Sequence, residues 1–439
     1  MPADKRPLAD DVHPLEVFGW AMYDFANSGY TTVVITAIFN AYFVSVVARN
    51  AAWATFAWTA ALAISYAAIV VSAPLVGALA DLRAAKKRML ALTTAGCVAT
   101  TAALALVGPG EIALGILLVA LSNTFFGTGE NLVAAFLPEL ARGEALGKVS
   151  GWGWSLGYLG GLLALGLSLA YVSHAQSAGD PATSFVPVTM LITAGLFALA
   201  SIPTFALLKE RAQPQAAGPG ALRNAYARVV RTVREASRFR DLRRFLLCLI
   251  FYQAGVQAVI ALAAVYAQQA MGFSTHDAIV LILAVNVTAA VGAFAFGYVQ
   301  DRLGHIATIA VTLVLWILTV AIAAMSQDRG TFWLAANLAG VALGASQSAG
   351  RALVGFLSPT DRHAEFFGLW GLAVKLSSIL GPITYGASTW LSQGNHRLAI
   401  VVTGSYFVIG LALLRGIDVE RGRRAALEPP QQAARSTPP

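Results

Sequence analysis

Residues 77–88 read GALADLRAAKKR and residues 297–305 read GYVQDRLGH. Each stretch places a glycine four positions before an aspartate and basic residues after it. The two aspartates, Asp81 and Asp301, are 220 positions apart, and the dipeptide Phe-Leu recurs with the same separation at 136–137 and 356–357. This common separation predicts that the chain is built from two related halves.

Long apolar stretches separated by short polar joints occupy most of the 439 residues. A helix of about 20 apolar residues spans the hydrocarbon core of a bilayer and satisfies its own backbone there. The composition agrees, because 57% of the residues are hydrophobic and only 12% are charged. We predict twelve membrane helices: 16–47, 54–80, 89–107, 112–137, 149–171, 185–208, 245–270, 278–299, 307–325, 332–357, 366–391 and 398–414.

Two repeats of six helices around a shared cavity define the major facilitator architecture. We therefore predict an all-α integral membrane protein with the major facilitator fold, in which twelve transmembrane helices form two pseudo-symmetric six-helix bundles. The last residues are rich in Pro, Gln and Ala, a composition typical of disorder. The predicted parts are a cytoplasmic N-terminal segment (1–15), a first bundle (16–208), a cytoplasmic linker (209–244), a second bundle (245–414) and a disordered cytoplasmic tail (415–439).

Basic residues fall mainly on one side of the predicted helices. Of the 30 Lys and Arg, 25 lie in the termini or in the joints after even-numbered helices, against Arg49, Arg329 and Arg397 on the other side. Such residues accumulate on the cytoplasmic side, so we predict a multi-pass protein of the cell membrane with both termini in the cytoplasm. Eight Arg at 223–244, with apolar residues at helical spacing, predict an amphipathic helix on the bilayer surface; nucleic acid or a partner protein is the less favoured interpretation.

Four ionisable residues lie inside predicted spans: Asp24, Glu130, Arg351 and Lys375. Each costs about 2.5–3.5 kcal/mol at the bilayer centre on insertion scales, so such residues usually pair or face a wet cavity. Asp24 and Asn27 share one face of the first helix, and further polar residues lie on the fourth, seventh and tenth. We predict that the acids bind solute or protons or form structural ion pairs. The residues predicted to line a shared cavity are Asp24, Asn27, Asn123, Glu130, Gln253, Gln257, Gln347, Arg351 and Lys375.

The two glycine–aspartate stretches predict a latch that closes the cytoplasmic ends of the bundles. Its components in the first half are Gly77, Asp81 and Arg83, and in the second half they are Gly297, Asp301 and Arg302. The glycines allow close helix approach, and the charges pair across the joint. The alternative is an ordinary basic loop after an acidic helix end.

Enzyme chemistry has little support in the sequence. The six His lie in joints or the terminus without zinc-like spacing, and GTGEN from Gly127 lacks the lysine and hydroxyl residue of a phosphate loop. We predict no metal site, no cofactor and no catalytic residue. A polytopic membrane enzyme or a lipid-handling protein is the alternative from a different class.

Several stretches resemble one branch of the major facilitator superfamily, namely the vacuole effluxers related to autophagy amino-acid permeases and their bacterial relatives. These are WAMYDFANSGYTTVVITAIFNAYF from Trp20, FLPELA from Phe136, SGWGWSLGYLGG from Ser150, GASQSAGRAL from Gly344 and EFFGLW from Glu365. The resemblance covers nearly the whole membrane domain and implies efflux of amino acids or similar small solutes. Among the candidate residues, those that match the family are Asp24, Asn27, Arg351, Glu365 and Lys375.

Two departures from that family concern the cavity. Residues 252–255 read YQAG, where the family usually has tyrosine, asparagine, aspartate and glycine, so one expected acid is missing. Ala135 stands where the family usually has asparagine. Substrate range or ion coupling is expected to differ accordingly.

Taken together, these features predict a monomeric secondary transporter of a small polar solute, an amino acid or similar zwitterion. We expect efflux by alternating access, with proton coupling through Asp24 or Glu130. An exporter of drugs or lipophilic cations with the same fold is the closest alternative.

Overall fold

The computed structural model describes residues 7–51, 53–214, 226, 239–273 and 275–428. Almost all of its regular structure is helical, which confirms the predicted all-α class. The helices of this chain are α1 (Pro14–Val47), α2 (Ala54–Arg83), α3 (Lys86–Ala103), α4 (Ile112–Ala134), α5 (Leu146–Ser177), α6 (Ala182–Leu207), α7 (Arg240–Met271), α8 (Thr275–Leu303), α9 (His305–Met325), α10 (Arg329–Leu357), α11 (His363–Leu391), α12 (His396–Leu414) and α13 (Val419–Leu427). A one-turn helix, Leu137–Leu140, follows α4.

Eleven helices among the described residues are long and apolar enough to cross a membrane. The remaining long helix, α10, has 29 residues and is less apolar, because it carries Asn337, Gln347 and Arg351. Its polar residues alternate with buried alanines and glycines that pack against neighbouring helices. The twelve predicted spans thus correspond to α1–α12, and α10 is a membrane helix by position rather than by hydropathy.

The N-terminal half (α1–α6) and the C-terminal half (α7–α12) meet mainly through α2 against α11 and α5 against α8. Small residues make these contacts possible, as is usual where lipid supplies no hydrophobic force between helices. A methyl group at Gly77 would overlap the carbonyl oxygen of Ala364, and one at Gly151 would overlap that of Ala293. The two halves therefore approach to backbone contact at these points.

One face of the molecule, which we call the terminal face, carries the described ends of the chain. The N-terminal segment pairs there with the joint after α4, through a bridge between Leu8 and Ala141 and an ion pair between Asp10 and Arg142. Arg211 donates to Asp11 at 2.8 Å, and this bond holds the pKa of Asp11 below its usual value. The segments that form this face are residues 7–13, 81–88, 137–148, 208–214, 297–305, 356–365 and 415–428.

The tail prediction was wrong for α13. Residues 415–439 were expected to be disordered, but Val419–Leu427 is a helix whose N-cap, Asp418, accepts a hydrogen bond from the Arg421 backbone. Arg421 also pairs with Asp241 of α7 at 2.7 Å. These contacts dock the helix onto the C-terminal half. Most of the predicted amphipathic helix at 223–244 lies outside the described residues, which include only 226 and 239–244 of that range, and residues 429–439 lie outside them as well.

Candidate substrate cavity

A cavity of about 520 Å³ lies between the two halves. Eight of the nine residues predicted from the sequence line it: Asp24, Asn27, Asn123, Glu130, Gln257, Gln347, Arg351 and Lys375. The ninth, Gln253, is buried and donates to the side-chain oxygen of Gln347 at 2.5 Å. The structure thus brings the predicted polar residues of both halves together around one space.

The cavity extends along the helices rather than across them. On α10 its lining runs from Arg351 to Phe332, nineteen residues or about 28 Å at 1.5 Å per residue. On α1 it runs from Asp24 to Thr36. Asp24 and Arg351 are the lining residues of their helices closest to the terminal face, so they form the floor of the cavity.

The floor pair, Asp24 and Arg351, joins the two halves. Arg351 of α10 donates to the Asp24 carboxylate at 2.6 Å, and it also donates to the hydroxyl and the carbonyl of Ser150 on α5 at 3.1 and 2.9 Å. Its guanidinium lies 4.8 Å from the ring centre of Trp20 and 5.3 Å from that of Trp154. Only 3% of the Arg351 side chain and 10% of the Asp24 side chain are exposed. Every one of these partners belongs to the N-terminal half, so the bonds cross the interface.

A second ion pair, the cavity pair, also crosses between the halves. Glu130 of α4 and Lys375 of α11 are 3.6 Å apart, and 24% of the Glu130 side chain is exposed. Lys375 lies near the rings of Tyr66 and Phe126, at 5.6 and 5.8 Å from their centres. The cavity pair is therefore looser and more accessible than the floor pair.

Aromatic residues of the cavity were not identified from the sequence. Tyr66, Phe126, Trp154 and Tyr158 all line it, and the indole nitrogen of Trp154 is buried without a hydrogen-bond partner in the described part of the chain. Trp154 and Tyr158 are four residues apart, so they share one face of α5. That spacing was the available signal, but aromatic residues are so common in membrane helices that it did not stand out.

The two aspartates of the repeated motif contact the opposite half at the terminal face. Asp81 of α2 accepts hydrogen bonds from the backbone nitrogens of Ala364 and Glu365, at 3.2 and 2.9 Å. Asp301 of α8 accepts from the backbone nitrogen of Lys148 at 3.3 Å and lies 3.8 Å from its ammonium. Each carboxylate thus sits at the N-terminal end of a helix of the other half, where the helix dipole favours an anion.

The arginines predicted for the latch, Arg83 and Arg302, are exposed. The motif glycine Gly297 approaches the backbone of the opposite half. A methyl group at Gly297 would lie 2.8 Å from the carbonyl oxygen of Gly147. Glu365, which matched the family pattern, is fully buried and accepts two hydrogen bonds from Arg362 at 2.8 and 2.9 Å. It lies at the terminal face and not among the cavity lining.

The fold and a polar cavity between two six-helix halves are those of the major facilitator superfamily of membrane transporters. Solved structures with this fold are similar over almost the whole chain. The human organic anion transporter MFSD10 has a TM-score of 0.71 at 15% identity and covers 91% of this chain, and 99% of its own chain is matched. The proton:xylose symporter XylE has a TM-score of 0.70 at 14% identity, over 94% of this chain and 98% of its own.

The chain belongs to the family described as vacuole effluxer Atg22 like, whose model matches residues 43–427. The MFS-type transporter YxiO of Bacillus subtilis (strain 168) is 27% identical over 406 residues, which cover 91% of this chain and 94% of YxiO. Autophagy-related protein 22-1 of Penicillium rubens is 25% identical over 303 residues, covering 64% of this chain and 50% of that protein. The predicted family and the multi-pass membrane class are confirmed.

Proposed function

We propose that this protein exports a small zwitterionic solute, such as an amino acid, across the cell membrane by alternating access. The observation that carries the proposal is the charge balance of the cavity. Two acids and two bases face it as two pairs, and each pair joins one half to the other. A zwitterion carries both charges, so its ammonium can pair with the acid and its carboxylate with the base when the two residues separate. No charge is then left unpaired.

Efflux is proposed from the family description, vacuole effluxer, and the orientation of the protein from its charge distribution. In the family description the term refers to release of solute from the vacuole. The terminal face carries most of the Lys and Arg among the described residues, so we assign it to the cytoplasm. Both termini then lie inside the cell.

The observed state fits a cavity open away from the cytoplasm. The halves contact each other at the terminal face through Asp81 and Asp301, and the cavity lining reaches Thr36, Tyr266 and Phe332 near the other ends of their helices. FucP, solved in the outward conformation, has a TM-score of 0.63 over 92% of this chain. In the proposed cycle, Asp81 and Asp301 release the opposite half when the cytoplasmic side opens.

A proton gradient is the proposed energy source. Glu130 lines the cavity and is the more exposed of its two acids, whereas Asp24 is held at 2.6 Å by Arg351. Proton uptake by Glu130 would release Lys375 and thereby couple protonation to rearrangement of the cavity pair. Because the cavity is enclosed by a single chain, we propose that the monomer is the transporting unit.

The exporter of lipophilic cations is disfavoured by the same geometry. Arg351 and Lys375 both face the cavity, and a cationic solute that displaced either base from its acid would leave that base unpaired. A zwitterion supplies the carboxylate that such a cation lacks.

The test is counterflow of labelled neutral amino acids in proteoliposomes that contain the purified protein. We expect labelled leucine to accumulate against an unlabelled internal pool, and a pH step to drive net movement. Lys209→Gln, which changes an exposed lysine that is not among the cavity lining, serves as the matched control for Lys375→Gln. Equal rates in Lys375→Gln, the control and protein-free vesicles would refute the proposal.

A further inference from the structure

Lys375 occupies surroundings that would suit a cationic ligand. Its ammonium lies 5.6 Å from the ring centre of Tyr66, 5.8 Å from that of Phe126 and 3.6 Å from a carboxylate oxygen of Glu130. Proteins recognise ammonium groups with aromatic faces within about 6 Å. Tyr66, Phe126 and Glu130, which we call the ammonium cage, all belong to the N-terminal half, whereas Lys375 comes from the C-terminal half.

The cage is accessible from the cavity, because all three of its residues and Lys375 line it. The lysine reaches the cage across α4 at a glycine: a methyl group at Gly127 would lie 3.3 Å from the Lys375 Cε atom. A lysine side chain is a flexible four-carbon stem with a compact charge. Its ammonium can therefore leave the cage and remain in the cavity.

The other cavity cation is held differently. Arg351 makes three hydrogen bonds to the Asp24 and Ser150 groups while lying over two tryptophan rings. Lys375 has a single ion-pair partner in the described structure, at 3.6 Å. Of the two cations, Lys375 is the one that a solute could displace at smaller cost.

We propose that Lys375 is a selectivity residue that occupies the ammonium cage in the absence of solute. A solute enters the cage when its own ammonium replaces that of Lys375 and its carboxylate pairs with the displaced lysine. A monoamine cannot complete this exchange, because it leaves Lys375 unpaired beside a second cation. The inference rests on the proposed function, since it takes the solute to be a zwitterion.

The experiment compares leucine with isoamylamine, which has the same side chain but no carboxylate. Their binding to the full-length protein in detergent is measured by isothermal titration calorimetry. In the wild type we expect leucine to bind about tenfold more tightly or better, because only leucine can pair with Lys375. In Lys375→Met the cage is vacant and keeps the Glu130 carboxylate, so isoamylamine should bind about tenfold more tightly than to the wild type.

Two further variants separate the cage from a general effect of the substitution. Lys375→Arg keeps a cation at this position and should retain the preference for leucine. Lys375→Met combined with Glu130→Gln should lose the gained affinity for isoamylamine, because the cage then lacks its carboxylate. As a second measurement, isoamylamine should raise the melting temperature of Lys375→Ala but not that of the wild type.

The proposal is overturned if isoamylamine binds Lys375→Met no more tightly than the wild type and does not stabilise Lys375→Ala. It is also overturned if the Glu130→Gln double variant keeps the gain. A wild type that binds no leucine, together with a gain of amine binding in Lys375→Met, would support the cage while rejecting the proposed zwitterionic substrate.

Discussion

The floor pair and the cavity pair are both acid–base pairs across the same interface, yet their surroundings differ. Arg351 is clamped by Asp24, Ser150 and two tryptophan rings and is 3% exposed. Glu130 of the cavity pair is 24% exposed, and its distance to Lys375 is 1 Å longer than that of the floor pair, 3.6 against 2.6 Å. The two pairs carry the same charges, but we infer different roles for them. The floor pair holds the two halves together, and the cavity pair can exchange its partners with a solute.

The largest effect is expected from breaking the floor pair on one side. Arg351→Met leaves Asp24 as an uncompensated buried charge, which should lower the free energy of unfolding by about 3–5 kcal/mol and abolish counterflow. Thermal melting in detergent and leucine counterflow measure the two effects. In the double variant Asp24→Asn/Arg351→Met, stability should largely return while transport does not. If Arg351→Met is as stable as the wild type, the floor pair does not differ from the cavity pair in its contribution to stability.

The second largest effect is expected from a substitution that separates the two halves at the terminal face. Such a separation should also break the floor pair. In Gly77→Val the side chain would overlap the Ala364 carbonyl, so the closed terminal face should form less often. A reporter cysteine at Gln257 in the cavity should then react with an impermeant thiol reagent several-fold more slowly from the side opposite the terminal face.

The matched control for this substitution is Gly166→Val, since nothing lies within 4 Å of a methyl group at Gly166. The native cysteines, Cys97 and Cys248, are buried and should give a low background. Equal labelling rates in both variants would contradict the assignment of Gly77 to closure.

A milder change is expected from the cavity pair. Glu130→Gln keeps the size of the side chain, and because Glu130 is partly exposed and Lys375 faces the cavity, the loss of stability should be smaller than that of Arg351→Met. Transport driven by a pH step should fall by about a hundredfold or more, the low end of the range for a positioned proton-transfer group, while counterflow without a pH step persists. A stability loss as large as that of Arg351→Met would mean that the two pairs do not differ.

The smallest effect on transport is expected from an ion pair that does not cross the interface. Arg421 of α13 is 46% exposed, but its partner Asp241, in the C-terminal half, is only 3% exposed. Arg421→Ala leaves this carboxylate without its guanidinium partner and should therefore lower the free energy of unfolding by about 1–3 kcal/mol, while counterflow stays unchanged. A loss of transport in this variant would show that docking of α13 affects the cycle.

Local pattern was sufficient to predict the helices and the four ionisable residues of the cavity lining. Asp24 and Asn27, for example, share a helix face whatever the fold. The pairings could not be predicted, because Asp24 and Arg351 are 327 residues apart in sequence and their contact depends on how two bundles dock. The aspartates of the repeated motif were expected to pair with basic side chains, but their described bonds include helix backbone of the opposite half, which sequence does not display.

The helix α13 was missed for a different reason. Its N-terminal signals, the N-cap Asp418 and the acidic Glu420 in the first turn, are present in the sequence, but the Pro- and Gln-rich composition of the following residues dominated the prediction. Short capped helices that depend on an ion pair to a distant residue, here Asp241, have little signal of their own.

The size of the cavity has a consequence for the energetics of the cycle. A space of about 520 Å³ holds on the order of ten to twenty water molecules, and each switch between the two sides must shed or recruit part of them. Large sugars or polymers too bulky to enter should draw that water out and slow turnover in proportion to osmotic pressure, whereas small permeant osmolytes at equal osmolality should not.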